Sequence, residues 1–171
     1  MDPFLIWLEA TAFSTWMREE PSIFAFPAIL ACHTVGMGLV AGINTALALT
    51  VFGVAPRVPV EEMKRFLPVM WFGFWLNAIS GVALLVAYPT KALTNPVFYL
   101  KLVLIALAMV LQRMISRRLF PYPIPASAPG VRAGLAGRLK TLAVASIVCW
   151  AGAITAGRFL AYTYTRLMAI F

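Results

Sequence analysis

Hydrophobic residues fall into four long runs that are separated by short polar segments. The runs cover about residues 22–54, 66–88, 96–116 and 141–163, and each can cross about 30 Å of bilayer hydrocarbon as a helix. Pro21 and Pro96 stand at the starts of two runs, where a helix tolerates proline. The pattern predicts an all-α fold: a single transmembrane domain over residues 1–171, folded as an integral membrane four-helix bundle.

The N-terminal segment follows a different pattern. In residues 3–17, apolar side chains recur at helical spacing with Glu9 among them, and Trp7 and Trp16 suit the depth of the lipid headgroups. We expect a short amphipathic helix that lies in the membrane interface. The segment lacks the basic start of a signal peptide.

Composition strengthens the membrane assignment. Of the 171 residues, 62% are hydrophobic and only 12% are charged, whereas soluble domains are about half apolar and a quarter charged. The net charge of +8 comes mostly from loop residues and has no interleaved aromatic residues, so it does not predict nucleic-acid binding. The sequence contains no CxxCH motif, which excludes covalent c-type haem attachment.

The basic residues also predict an orientation. Nine lysines and arginines lie in the first and third loops between the runs, against three on the opposite side. Because cytoplasmic loops carry the excess of basic residues, these two loops are expected in the cytoplasm and both termini outside, in the periplasm of a bacterial inner membrane. The Pro-rich stretch at residues 121–130 of the third loop is expected to be an extended linker.

The single histidine, His33, lies inside the first run, about 15 Å deep at 1.5 Å per residue. Met37 and Asn44 share its helix face, and Gly36 would leave space beside the ring for a flat ligand. The opposite face carries Gly38 and Gly42, a small-xxx-small pair that predicts close contact with another helix, in this chain or in a partner.

Two cations lie within the third and fourth runs. Lys101 and Arg158 are each about 7 Å deep on the outer side, by residue count. Both could extend to the outer headgroups, or they could bind an anionic group such as the propionates of a haem whose iron lies at the depth of His33.

The residues leave several roles open for His33. Its ring could be hydrogen-bonded to Asn77 or to a backbone carbonyl as a structural link between helices. It could be the axial ligand of a tetrapyrrole, or it could bind copper together with Met37, Met70 and Cys149. A proton relay is a further alternative, although every Asp and Glu lies outside the runs or near their edges, which argues against a proton-coupled transporter.

Several stretches resemble a family of uncharacterised bacterial membrane proteins, a four-helix domain of unknown function. The resemblance covers nearly the whole chain and rests on "FPAILACHTVGMGLVAG", on the segment from "FLPVMWFGFWLNAISG" to "NPVFYLK", and on "AGRFLAY". It implies the four-helix fold but no activity, and it includes His33, Lys101, Arg158 and Tyr162 among the matching positions.

We therefore expect a membrane subunit of a larger complex that binds haem b or a related tetrapyrrole, or is otherwise redox-associated, and that is not an enzyme on its own. His33 would hold the metal, and the other expected cofactor-binding residues are Gly36, Met37, Asn77, Lys101, Arg158 and Tyr162. The alternatives are a cofactor-free structural or assembly subunit and a copper or small-solute transporter. The expected partners are bilayer lipid and either other membrane subunits or further copies of this chain.

Overall fold

The computed structural model describes the backbone of residues 3–54, 60–120 and 129–167, and the side chains of residues 3–54, 62–120 and 137–160. The described secondary structure is entirely helical. In chain order the elements are α1 Pro3–Glu9, α2 Ala12–Glu19, α3 Phe26–Phe52, α4 Val60–Met63, a 3₁₀ turn Lys64–Phe66, α5 Leu67–Ala87, α6 Pro89–Leu93, α7 Pro96–Leu119 and α8 Pro129–Leu167.

Four helical stretches are long and apolar enough to cross a membrane, so the all-α prediction with four candidate spans is confirmed. They are α3, the stretch Lys64–Ala87 that contains α5, α7, and the part Gly137–Leu160 of α8. Local signals define their ends: Asn95 caps α7 by accepting from the Val97 amide at 3.0 Å, and Gly53 ends α3 with φ 76°, a left-handed conformation that favours glycine.

The third loop is shorter than the sequence predicts. Helix α7 continues to Leu119, and α8 already begins at Pro129, so the last two residues of the expected linker are helical. Proline is tolerated there because the first helical N–H groups have no intrahelical partner. Residues 121–128 of the linker prediction lie outside the described residues.

The N-terminal prediction of a single helix is wrong, because the segment forms two helices with a break at residues 10–11. Thr11 makes this break: its hydroxyl oxygen accepts from the Ser14 amide at 3.4 Å, which caps α2, and its hydroxyl donates to the carbonyl of Leu8 at 2.8 Å. The buried Ser14 donates to the carbonyl of Ala87 at 3.2 Å, and Glu9 accepts from the Thr90 amide at 3.3 Å. These bonds hold α1 and α2 over the α5–α6 corner.

The four long helices pack with α3 against α5 and α8, and with α7 against α8. Their contact surface contains a buried cluster of Val40, Ala41, Met70, Ala108 and Trp150. Gly38 and Gly42 are exposed, with no described atom within 4 Å of the Cβ position of either. They therefore contact no other helix of the described chain, and contact with a partner stays a prediction.

The outward surface of the long helices is strongly apolar. The side chains that show this are at least 57% exposed: Trp75, Ile79, Val82, Val110 and Val148. Exposed apolar surface on this scale is costly in water and is typical of helices that contact lipid.

Candidate functional site

His33 lies half-buried on α3, and its ring faces α5. Its Nδ1 is 3.0 Å from the backbone oxygen of Asn77, and the Asn77 side-chain amide donates to the backbone oxygen of His33 at 2.8 Å. Each of the two residues thus bonds to the main chain of the other. The pair fixes α3 and α5 in one register, because a slip of either helix would break both bonds.

Glycine makes this close approach possible. A Cβ atom at Gly36 would lie 2.6 Å from the Asn77 nitrogen and 2.8 Å from the Gly73 oxygen, both of them backbone atoms. The sequence analysis expected Gly36 to clear space for a flat ligand, and in this structure the backbone of α5 fills the space beside Gly36. Gly36 and Gly73 instead provide the close contact of two helices.

Two α5 residues that the sequence analysis did not assign to the site also adjoin the ring. Ser80 is buried, and its hydroxyl oxygen lies 3.3 Å from Nδ1. A Cβ atom at Gly81 would be 3.1 Å from the ring Cε1, so the absent side chain makes room for the imidazole. Their spacing could have indicated that they belong to the site, because residues three and four positions after Asn77 share its helix face.

Lys101 reaches the other side of the ring from α7. Its Nζ lies 3.3 Å from Nε2 of His33. The half-buried lysine stem runs beside Gly157 of α8, where an added Cβ atom would be 3.7 Å from Lys101 Cε. No described carboxylate forms an ion pair with Lys101. The histidine ring therefore connects α3, α5 and α7, and the lysine that reaches it packs on α8.

The partners of the ring determine where its proton lies. A lysine ammonium has three N–H donors and no acceptor, so Nε2 must accept from Lys101 with its lone pair. The ring proton is then on Nδ1, which donates to the Asn77 carbonyl. We infer this Nδ1–H tautomer from the bonding pattern.

The other expected site residues lie in different surroundings. Arg158 is exposed and makes no hydrogen bond or ion pair with the described part of the chain, so the two cations do not share an environment. Met37 packs at the edge of the buried cluster around Trp150. Tyr162 belongs to α8, but its side chain lies outside the described residues.

The soft ligands suggested for copper belong to the same cluster rather than to the histidine network. Met70 is buried, and its sulfur accepts from the Asn44 amide at 3.4 Å; Cys149 packs against the cluster. Among the described residues, no group of three His, Cys, Asp or Glu side chains lies close enough to hold a metal ion. The ring nitrogens of His33 have partners on α5 and α7.

Comparison with known proteins finds no match to this chain among protein-family models, curated proteins or solved structures. The resemblance to the four-helix domain of unknown function stays a prediction.

Proposed function

We propose that this chain is an integral membrane protein of a bacterial inner membrane, with both termini in the periplasm. The support is physical: four apolar helices of spanning length, an apolar outer surface, and nine basic residues in the loops and adjoining helix ends of one side against three on the other side. In this orientation the His33 network lies in the outer half of the bundle.

We propose further that the chain is a cofactor-free subunit of a larger membrane assembly, in which His33 locks the helices together. The observation that carries this proposal is the 3.3 Å contact between Lys101 Nζ and His33 Nε2. It occupies the nitrogen that a metal would need, and it gives a lysine among apolar helices a polar partner. Such a lysine is costly in hydrocarbon unless it is paired or reaches water.

The network is better suited than an isolated polar pair to hold the helices together. Interhelical hydrogen bonds in membranes contribute about 0.6 kcal/mol each on average, and up to about 2 kcal/mol. The three bonds that join His33 to Asn77 and Lys101 are directional, so they fix helix rotation as well as proximity. The exposed face of Gly38 and Gly42 remains available for a neighbouring subunit or a second copy of the chain.

A tetrapyrrole-binding, redox-associated subunit is the second candidate, and one feature of the site favours it. Donation from Nδ1–H to a backbone carbonyl orients a metal-ligating histidine and leaves Nε2 as the basic nitrogen. For such a site to form, Lys101 would have to leave Nε2, and its ammonium would then be available to bind an anionic propionate. A copper or small-solute transporter has less support, because the soft ligands pack in the buried cluster instead.

The test compares visible absorption and thermal unfolding of the wild type and His33→Ala, both purified gently from the native membrane. The cofactor-free proposal predicts a colourless wild type and a less stable variant. A Soret band that is present in the wild type and lost in His33→Ala would overturn it and support ligation. A variant as stable as the wild type would contradict the structural role.

A further inference from the structure

A second polar site lies between α5 and α7, at the end of the bundle opposite the His33 network. It is an open cleft of about 350 Å³. Its apolar wall includes Leu67, Met70, Trp71 and Met109, of which Met70 belongs to the buried cluster of the bundle. A cleft between two candidate spans with this lining can accommodate a hydrocarbon chain.

Three cations, Lys64, Arg113 and Arg117, line the same cleft, which we call the basic cleft. All three are exposed, and none makes a hydrogen bond or ion pair with another described residue. No described acidic residue lines the cleft; the described ion pair nearest in sequence joins Arg65 to Glu62 instead. The basic cleft thus has an uncompensated positive charge beside an apolar wall.

A hydroxyl group in the cleft has an unusual bonding pattern. Helical hydroxyls elsewhere in this chain, such as those of Thr34, Thr50 and Thr155, donate to the carbonyl four residues before them. Ser116 instead accepts from the Gln112 side-chain amide at 3.2 Å and donates to no other described residue. Its proton is therefore available to an acceptor in the cleft. The Gln112 side chain is itself buried, with its Oε1 unpaired among the described residues.

We propose that the basic cleft binds one anionic phospholipid. Arg113, Arg117 and Lys64 would contact the phosphate, Ser116 would donate to a phosphate oxygen, and an acyl chain would lie against the apolar wall. Guanidinium groups pair with phosphate through two parallel hydrogen bonds, and basic pockets between spans at the cytoplasmic side attract anionic headgroups. The proposal rests on membrane insertion and on the proposed orientation, but not on any role of His33.

The experiment is native mass spectrometry of the full chain in detergent, titrated with dioleoylphosphatidylglycerol or dioleoylphosphatidylcholine. We expect one tightly retained phosphatidylglycerol and no comparable retention of phosphatidylcholine. Arg113→Gln and Arg117→Gln should each weaken phosphatidylglycerol binding about fivefold. Arg118→Gln is the matched control, because it removes the same charge from α7 at a residue that does not line the cleft.

Two further arms separate the possible outcomes. Glycerol 3-phosphate and inorganic phosphate at millimolar concentration should not displace the lipid, and displacement by either would show that the cleft recognises a soluble phosphate instead. Ser116→Ala, which adds no bulk and keeps all charges, should also weaken phosphatidylglycerol binding. Equal losses in Arg118→Gln and the cleft variants, or equal retention of both lipids, would overturn the proposal.

Discussion

Replacing Gly36 by alanine should separate α3 from α5 and break the histidine network. The added Cβ atom would lie 2.6 Å from the Asn77 nitrogen, whereas ordinary contact begins at 3.4 Å, so the backbones must move apart by about 0.8 Å. The same movement would lengthen the 3.0 Å and 2.8 Å bonds between His33 and Asn77 to about 3.8 Å and 3.6 Å. Both distances exceed the range of a hydrogen bond.

The expected cost of Gly36→Ala is about 2–4 kcal/mol in the free energy of unfolding. Overpacking a close contact contributes about 1–3 kcal/mol, and the weakened interhelical bonds add about 1 kcal/mol. The assay is equilibrium unfolding in mixed micelles of a mild detergent and dodecyl sulfate, followed by circular dichroism. The atoms nearest to the added Cβ belong to the backbone of α5, so no flexible side chain can move aside to relieve the contact.

Gly38→Ala is the matched control on the same helix. No described atom lies within 4 Å of its Cβ position, and alanine is the better helix former by up to about 1 kcal/mol. We expect its stability to equal or exceed that of the wild type. A Gly36→Ala variant that unfolds like Gly38→Ala, within about 0.5 kcal/mol, would refute the close packing of α3 on α5.

Three further predictions concern the cations, the open glycine face and the topology. Lys101→Met keeps the stem beside Gly157 but removes the bond to His33, so it should lower the free energy of unfolding by about 1 kcal/mol in the same assay. Arg158→Met should lower it by less than about 0.5 kcal/mol. Equal losses would contradict the different roles of the two cations. Gly42→Leu should leave the isolated chain folded but reduce its association, measured by size and cross-linking in native membranes; unchanged association would mean that this face contacts lipid. A cysteine at Ser127, in a variant without the two native cysteines, should resist an impermeant thiol reagent in intact cells, and ready labelling would reverse the proposed orientation.

The positions of the four long helices were predictable from the sequence because each is apolar over the whole length of a span. Hydropathy averages over many residues, so it locates a helix well even when individual positions are ambiguous. The break near Thr11 was missed for the opposite reason, since it depends on one hydroxyl that caps a short helix. The sequence feature that could have indicated the break is a threonine three residues before Ser14, which is buried in the structure.

The partners of His33 were only partly predictable. Asn77 was a candidate because few polar side chains occur within the runs, and the structure brings it to the ring. The role of Gly36 was not predictable, because spacing on one helix does not reveal whether its open side meets a ligand or another backbone. That depends on the rotation of α5, which Gly73 and Gly81 determine through packing.

Lys101 shows a further limit of counting residues along a span. By that count its backbone is about 8 Å shallower than that of His33. The difference suggested that Lys101 binds the propionates of a porphyrin whose iron is held by His33. The lysine stem crosses this difference and brings Nζ to 3.3 Å from the ring. The basic cleft was not predicted for a related reason: Arg113 and Arg117 were assigned to the loop residues that define topology, and only the fold places the apolar start of α5 across a cleft from them.

The most direct test of the central claim uses the fact that the chain has a single histidine. Incorporation of histidine that carries ¹⁵N only in its ring then yields the two ring nitrogens of His33 alone in a nuclear magnetic resonance spectrum of the membrane-reconstituted protein. We predict a protonated Nδ1 and an unprotonated Nε2 whose signal shifts in Lys101→Met but not in Arg158→Met. A protonated Nε2, or an Nε2 signal shifted by a bound metal and unaffected by Lys101→Met, would contradict the account.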